Sequence, residues 1–413
     1  MYKRCEEENI LISIEEALKI VLKETLTLGM ETVSILSSMG KVLAEDIYSK
    51  DNLPPFDKSA MDGYAIKSKD TEMCRSSIEA NLKVVGVIRA GDFSKYELKS
   101  GEAMKIMTGA PVPKGADAVV QKEIVEVLGE EITISDFIDI NNNILKVGEE
   151  IKVGELALPK GKLIRPAEIG LFASLGYSKV KVFKSPKVVL LTTGDELVDI
   201  NEDLPPGKIR NCNEYSLSAL IKVLDAEVIS FGVIKDDEEV LLNKMKEAFN
   251  QGDIVISSGG VSVGDYDFVE SNLKKLEADI KFTSVAVKPG KPVTFATYKN
   301  KLFFGLPGNP LSAINTFEQF VKPAIRKSMG KIQVIDEEFS VIAGDNFKFK
   351  KGRVNHVYVN IFKENGVYYA NKIGSQGSNK LLTISKANGI IIVDRDTDYV
   401  KVGDAVNGRF IFK

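Results

Sequence analysis

The chain has 413 residues, 44% hydrophobic and 27% charged, the make-up of an ordinary soluble globular protein with about two to four domains. Its net charge of −3 argues against a general nucleic-acid binder, and no run approaches the roughly 18 apolar residues needed to span a bilayer. Three scattered cysteines (Cys5, Cys74, Cys212) and a single histidine (His356) exclude a disulfide framework and a His-rich zinc site and weigh against a Ser-His triad, which leaves carboxylates, lysines, backbone dipoles and a bound ion to carry any chemistry.

The opening stretch, MYKRCEEENI, lacks the apolar core of a signal peptide, so the expected location is the cytoplasm. Ser13 to Leu28 carries apolar residues at helical spacing, with Ser13 placed as N-cap and Glu16 three residues on for a capping box. Thr32 to Ile47 is expected to hold a short strand, a turn at Met39-Gly40 and a second helix. Next, the run from Leu53 to Tyr64 places Asp57, Ser59 and Asp62 in a loop entered through two prolines. Taken alone, that loop is a solvated turn.

From Ala65 to Ser135 short apolar runs are broken every eight to twelve residues by Gly or Pro, the texture of a small inserted β barrel or sandwich. A helix with Pro166 in its first turn follows. Residues 186 to 330 alternate strand and helix, as in a doubly wound sheet. Within them GDIVISSGGVSVGDYD (252–267) joins a β-branched strand, a glycine turn and a helix start, an arrangement suited to an anion; a lone Gly-Gly is as often a plain turn. TTGDE, SSGG, KPGK and LPGNP all follow strands, and in such sheets ligands gather outside the strands' carboxyl ends. Asp236 and Asp237 suit the start of the next helix, where they cap it or bind a cation. Residues 331 to 413 return to β patterning, with His356 as a structural or surface residue.

These stretches, in this order, resemble the MoeA/gephyrin E-domain family, the molybdopterin molybdenumtransferases. The likeness rests on PPFDKSAMDGYA (54–65), IMTGAPVPKGADAVV (106–120), TTGDEL (192–197), PPGKIRNCN (205–213), SSGGVSVGDYD (257–267), KPGKP (288–292) and LPGNP (306–310), and it covers nearly the whole chain. It implies four parts: a discontinuous α-containing linker and dimerisation domain (1–48 and 140–185), an inserted β domain (49–139), a doubly wound molybdopterin-binding α/β domain (186–330) and a C-terminal β-barrel-like domain (331–413).

The implied reaction inserts molybdenum from molybdate into adenylylated molybdopterin and releases AMP, in a Mg²⁺-dependent homodimer. The resemblance assigns Asp57, Asp62, Thr108, Glu196, Asp267 and Lys288 to catalysis, the first three reaching the site from the neighbouring subunit. It assigns substrate binding to Thr193, Gly194, Asp195, Asn213, Ser258, Gly259, Gly260, Val261, Ser262, Gly264, Lys291, Pro307, Gly308, Asn309 and Pro310. Glu196, Asp236, Asp237 and Asp267 are the implied metal ligands. A molybdopterin adenylyltransferase and molybdoenzyme maturation factors are the implied partners, with no nucleic acid and no membrane. Two other readings stand beside this one: an adenylyltransferase acting through the α/β domain, and a non-catalytic scaffold like gephyrin. Two positions depart from the family pattern: Cys212 replaces an expected serine, and Ser284 stands where some relatives place a lysine.

Overall fold

A computed structural model describes residues 11–260, 268–374, 377 and 380–411. The chain divides into two compact units, one of Met1–Ala44, Leu163–Arg165 and Val180–Lys413, the other of Glu45–Lys162 and Pro166–Lys179. No helix among the described residues is long and apolar enough to cross a membrane.

Helix α1 spans Ile14–Glu24 and buries Ile14, Ala17 and Val21 in the core of the first unit. The Ser13 hydroxyl accepts from the Glu16 N–H at 3.1 Å, the cap expected from the sequence. Ser13→Ala is expected to cost about 1 kcal/mol, read as a lower denaturant midpoint. The second helix expected before Ile47 does not form. Met30–Ser34 is a strand, Leu36–Ser38 a single 3₁₀ turn, and Gly40 adopts φ +78°. Thereafter the backbone groups pair with distant chain: Gly40 N–H with Ile164 O, Ile164 N–H with Lys41 O, and Phe183 N–H with Val42 O. The buried Val42 and Leu43 are thus drawn into β bridges with Leu163 and Val182, which leaves no helical ladder to form.

The second unit is built on six strands: β1 Gly63–Ile66, β2 Ala80–Ile88, β3 Glu102–Ile106, β4 Ala118–Gln121, β5 Val125–Leu128 and β6 Glu131–Ile134. They form one mixed sheet in the order β4-β1-β3-β2-β6-β5, whose end strands β4 and β5 are not paired with each other, in place of the expected closed barrel or sandwich. Alternation decides its two faces, except that an irregularity in β2 between Val84 and Val87 switches that strand's sides. Tyr64, Ile66 and Leu82 enter one apolar cluster, and Ala65, Ile88 and Ile106 enter the other. Helix α2, Pro166–Ser174, begins at its proline as expected.

The first unit carries the strand–helix alternation: β7 Lys187–Thr193, α3 Asn213–Val223, β8 Glu227–Ile234, α4 Glu238–Gln251, β9 Ile254–Ser258, α5 Val269–Lys275, β10 Asp279–Ser284, β11 Val287–Lys288, β12 Pro292–Tyr298 and β13 Lys301–Leu306. Its sheet order is β8-β7-β9-β13-β12-β10, with β8, β7, β9 and β13 parallel and β12 reversed. Strand β10 is antiparallel to β12, so its carboxyl end lies on the same edge as those of the parallel four. Val188 and Leu190 pack on one face and Val189 and Leu191 on the other, which is why β7 is a continuous apolar run.

Helix α6 (Pro310–Thr316) continues through a π-helical turn, Phe317–Val321, into α7 (Lys322–Ser328). Beyond it, β14 Phe339–Ala343, β15 Val354–Glu364, β16 Val367–Lys372, β17 Gly389–Val393 and β18 Ala405–Phe410 pair in a ring that closes through β15–β17, the expected C-terminal barrel. Strand β11 adds to β15 in parallel, matching Val287 with Val354 and Lys288 with Asn355.

Candidate active site

Three turns meet at the carboxyl edge of the α/β sheet, because β7, β9 and β13, which deliver them, are neighbours in register. Thr192 of β7 pairs with Ser258 of β9, and Ser258 pairs with Leu306 of β13. Just past β9, Gly259 has φ +97° and donates its N–H to Leu306 O at 3.0 Å. A Cβ there would lie 2.5 Å from Thr193 O, so only glycine lets the two turns touch. Gly308 closes the third side, its Cβ position 3.8 Å from Gly259 Cα. The Asn213 side chain, buried at the start of α3, donates from Nδ2 to Ser258 Oγ and to Gly308 O, both at 2.8 Å. One amide therefore ties PPGKIRNCN, SSGG and LPGNP together. The buried hydroxyls of Thr192 and Thr193 have no hydrogen-bond partner among the described residues. Asn309 precedes α6 with Pro310 at its first turn, so Pro307 and Pro310 bracket the turn they shape.

The KPGK turn joins this edge from β10, with Lys288 and Lys291 exposed and Gly290 buried at φ +108°. Asp195 and Asp236 are linked reciprocally, each carboxylate accepting the other's backbone N–H at 3.2 Å. Glu196 folds back over Gly194, whose Cβ position would be 2.7 Å from Glu196 Oε2. Asp237 is occupied differently: it caps α4, accepting from Val240 N–H at 2.9 Å. Among the described residues no three carboxylate, thiol or imidazole groups gather closely enough to hold a metal. Magnesium, however, is commonly held by one or two carboxylates together with substrate phosphates, and Glu196 and Asp236 offer that donor chemistry. Val261, Ser262, Gly264 and Asp267 lie outside the described residues. Cys212 occupies the N-cap position of α3 without a side-chain cap bond, and burial pushes its thiol pKa up.

In the other unit, the loops containing Asp57 and Thr108 run side by side. Ser59 N–H donates to Ala110 O, Gly109 N–H to Ser59 O and Val112 N–H to Asp57 O. Asp62 Oδ1 accepts both the N–H and the hydroxyl of Thr108 at 2.8 Å, and Lys122 reaches Oδ2 at 3.4 Å. Those donors, the backbone N–H first, hold the Asp62 carboxyl below its usual pKa. Burial works against ionisation of Asp57, but Lys146 at 2.8 Å and the Val147 N–H outweigh it and also leave its pKa low. Both groups are carboxylates at neutral pH, fit to orient water or a cation but not to donate a proton. The sequence reading missed Lys122 and Lys146, each far along the chain from its carboxylate. A pocket of about 410 Å³ opens beside this loop, lined by Leu53, Pro54, Pro55, Lys58, Glu149 and Glu150 among others.

Comparison with known proteins adds an independent line. Family models match along the chain in order: "MoeA N-terminal region (domain I and II)" over residues 12–176, "Probable molybdopterin binding domain" over 189–327, and "MoeA C-terminal region (domain IV)" over 340–408. A molybdopterin molybdenumtransferase of Haemophilus influenzae is 38% identical over 91% of this chain and 92% of its own length. One of Staphylococcus aureus is 39% identical over 81% of this chain and 80% of its own. The crystal structure of a molybdopterin biosynthesis MoeA protein from Pyrococcus horikoshii superposes with a TM-score of 0.83 at 32% identity, covering 97% of this chain and 99% of that one.

Proposed function

The chain belongs to the molybdopterin molybdenumtransferase (MoeA) family, and from that premise we propose that it moves molybdenum from molybdate onto adenylylated molybdopterin and releases AMP at the carboxyl edge of its α/β sheet. It is a transferase of molybdenum cofactor biosynthesis. The observation that carries the placement is the meeting of the SSGG, LPGNP and PPGKIRNCN turns on Asn213, beside two buried threonine hydroxyls without described partners and on the same edge as two exposed lysines. Glycine-lined turns admit a phosphate close to backbone N–H groups, and lysines neutralise its charge or that of an oxyanion.

The substrate brings its own two sulfurs, so no protein thiol is needed. Lys288 and Lys291 hold molybdate or the pterin phosphate; Gly259, Gly260 and Gly308 allow close backbone approach. Glu196 and Asp236 would hold Mg²⁺ together with the substrate's phosphates, and the ion would offset charge on the phosphoanhydride. The two thiols bind molybdenum as one molybdate oxygen leaves with their protons as water. A water attacks the pterin-side phosphorus as its bond to the bridging oxygen breaks, so that AMP departs with that oxygen and the pterin keeps its phosphate. A second copy of the chain contributes Asp57, Asp62 and Thr108, so the working form is a cytoplasmic homodimer of four-part subunits divided at the boundaries given above. An adenylyltransferase that supplies the substrate and the factors that mature molybdoenzymes are its partners.

Incubation with adenylylated molybdopterin, with and without molybdate, tests the reading. AMP is expected only when molybdate is present; release that ignores molybdate would overturn it. Position 284 offers a graded check. Ser284 ends β10, four residues before Lys288. Adding a cation there by Ser284→Lys is expected to lower the KM for molybdate about threefold, the scale of one partly exposed ion pair.

A further inference from the structure

We propose that Asn315 and His356 are positioning residues for the KPGK turn, clamping its apex so that Lys288 and Lys291 meet the anion from a fixed backbone. The proposal rests on the anion-binding reading of that turn given above. Three strand contacts fasten the flanks: Val285 N–H to Lys291 O, Val354 N–H to Ala286 O, and the pairing of Lys288 with Asn355. The apex is held from α6. Gly290 lies flat against it, its Cβ position 2.5 Å from Thr316 Cγ2, and Asn315 Nδ2 donates to Pro289 O at 2.8 Å.

Asn315 is 1% exposed and both ends of its amide are used. A carbonyl only accepts, so Nδ2 must face Pro289 and Oδ1 must face the second partner, His356 Nδ1, at 3.0 Å. His356 Nδ1 therefore carries the proton and donates. This imidazole is 4% exposed on β15; burial first, and then the Arg409 guanidinium, push its pKa down to about 3. It stays neutral at any working pH, with a single tautomer fixed by Asn315. By this route the C-terminal barrel reaches the turn: β15 orients His356, His356 orients Asn315, and Asn315 holds Pro289 O. The sequence treats His356 as structural or surface, since nothing near it in the chain carries chemistry. Its use appears only when residues 289, 315 and 356 are brought together.

The test is AMP release as a function of molybdate concentration. His356→Leu deletes the donor, and Asn315→Asp replaces the donor to Pro289 O with a second acceptor. Each is expected to raise the KM for molybdate about tenfold, the scale of one buried group left unsatisfied, with kcat within about twofold. His356→Asn presents an amide N–H close to where Nδ1–H stood and is expected to recover most of the affinity. That rescue separates orientation from bulk packing. Lys288→Ala runs in parallel. If Lys288→Ala leaves the KM unchanged, the turn does not bind the anion and both ideas fall. If Lys288→Ala raises it while His356→Leu and Asn315→Asp do not, or if His356→Asn is as impaired as His356→Leu, the positioning role alone is overturned. Should His356→Leu not fold, the contrast between Asn315→Asp and His356→Asn gives the same decision.

Discussion

Gly259→Ala is expected to reduce molybdate-dependent AMP release at least about 100-fold, the scale of an ångström displacement in a reacting centre. The Cβ would stand 2.5 Å from Thr193 O and 2.9 Å from Thr193 Oγ1, at a φ of +97° that alanine resists. Neither side can yield easily. Thr193 ends β7 in register with Ile234 of β8, and Gly259 N–H is tied to Leu306 O. The clash must open the SSGG turn and pull Ser258 from Asn213, loosening LPGNP as well, at a cost on the order of 2–4 kcal/mol. Gly170→Ala makes a useful control: it lies within α2, with nothing inside 4 Å of its Cβ position, and is expected to stabilise by about 0.5–1 kcal/mol. Wild-type turnover in Gly259→Ala would mean that the cleft is elsewhere.

The largest loss of stability is expected from Asp336→Asn. Two carboxylates and three cations share one largely buried cluster. Asp336 meets Arg326 Nη1 and Arg409 Nη1 at 2.7 Å and Lys322 Nζ at 2.8 Å, while Glu318 meets Lys322 at 2.9 Å. Without the Asp336 charge, three cations face Glu318 alone, and breaking a buried set in this way costs about 3–5 kcal/mol. Burial opposes ionisation of Asp336, but its hydrogen bonds and ion pairs with Lys322 and Arg326 prevail and lower its pKa. A carboxyl whose folded pKa is depressed contributes its stability above the unfolded value of about 3.9 and loses it as pH falls through the folded value. The deficit of Asp336→Asn is therefore expected to be full near neutrality and to shrink below about pH 4. Urea midpoints across that range measure it; a variant with the parent's midpoint at pH 7 would show that the cluster is idle.

The cluster also marks a limit of sequence reading. Glu318 and Lys322, four apart on a helix, look like an exposed pair, and Asp336 looks like part of an acidic linker. Glu318 and Lys322 are buried and Asp336 is half-buried where this helical stretch meets the barrel, with Arg409 of β18 reaching Glu318 and Asp336. The absent second helix has a similar cause. Residues 40–44 have local features compatible with a helix, yet partners at 163–164 and 181–183 capture their backbone groups. Asp237, a candidate metal ligand, caps α4, a use its place just before a helix already allowed.

What the chain order alone settled is what depends on short range: the continuous apolar runs of β7 and β9, the Ser13 cap, Pro166 at a helix start, and glycine turns at strand ends. These follow from side-chain period and backbone sterics, which act over a few residues. Which turns touch, which carboxylate finds which lysine, and how a lone histidine comes to meet Asn315, 41 residues away, were decided by tertiary structure. Hydrogen bonds and charges select partners by distance in space, and strand order in the sheet sets that distance.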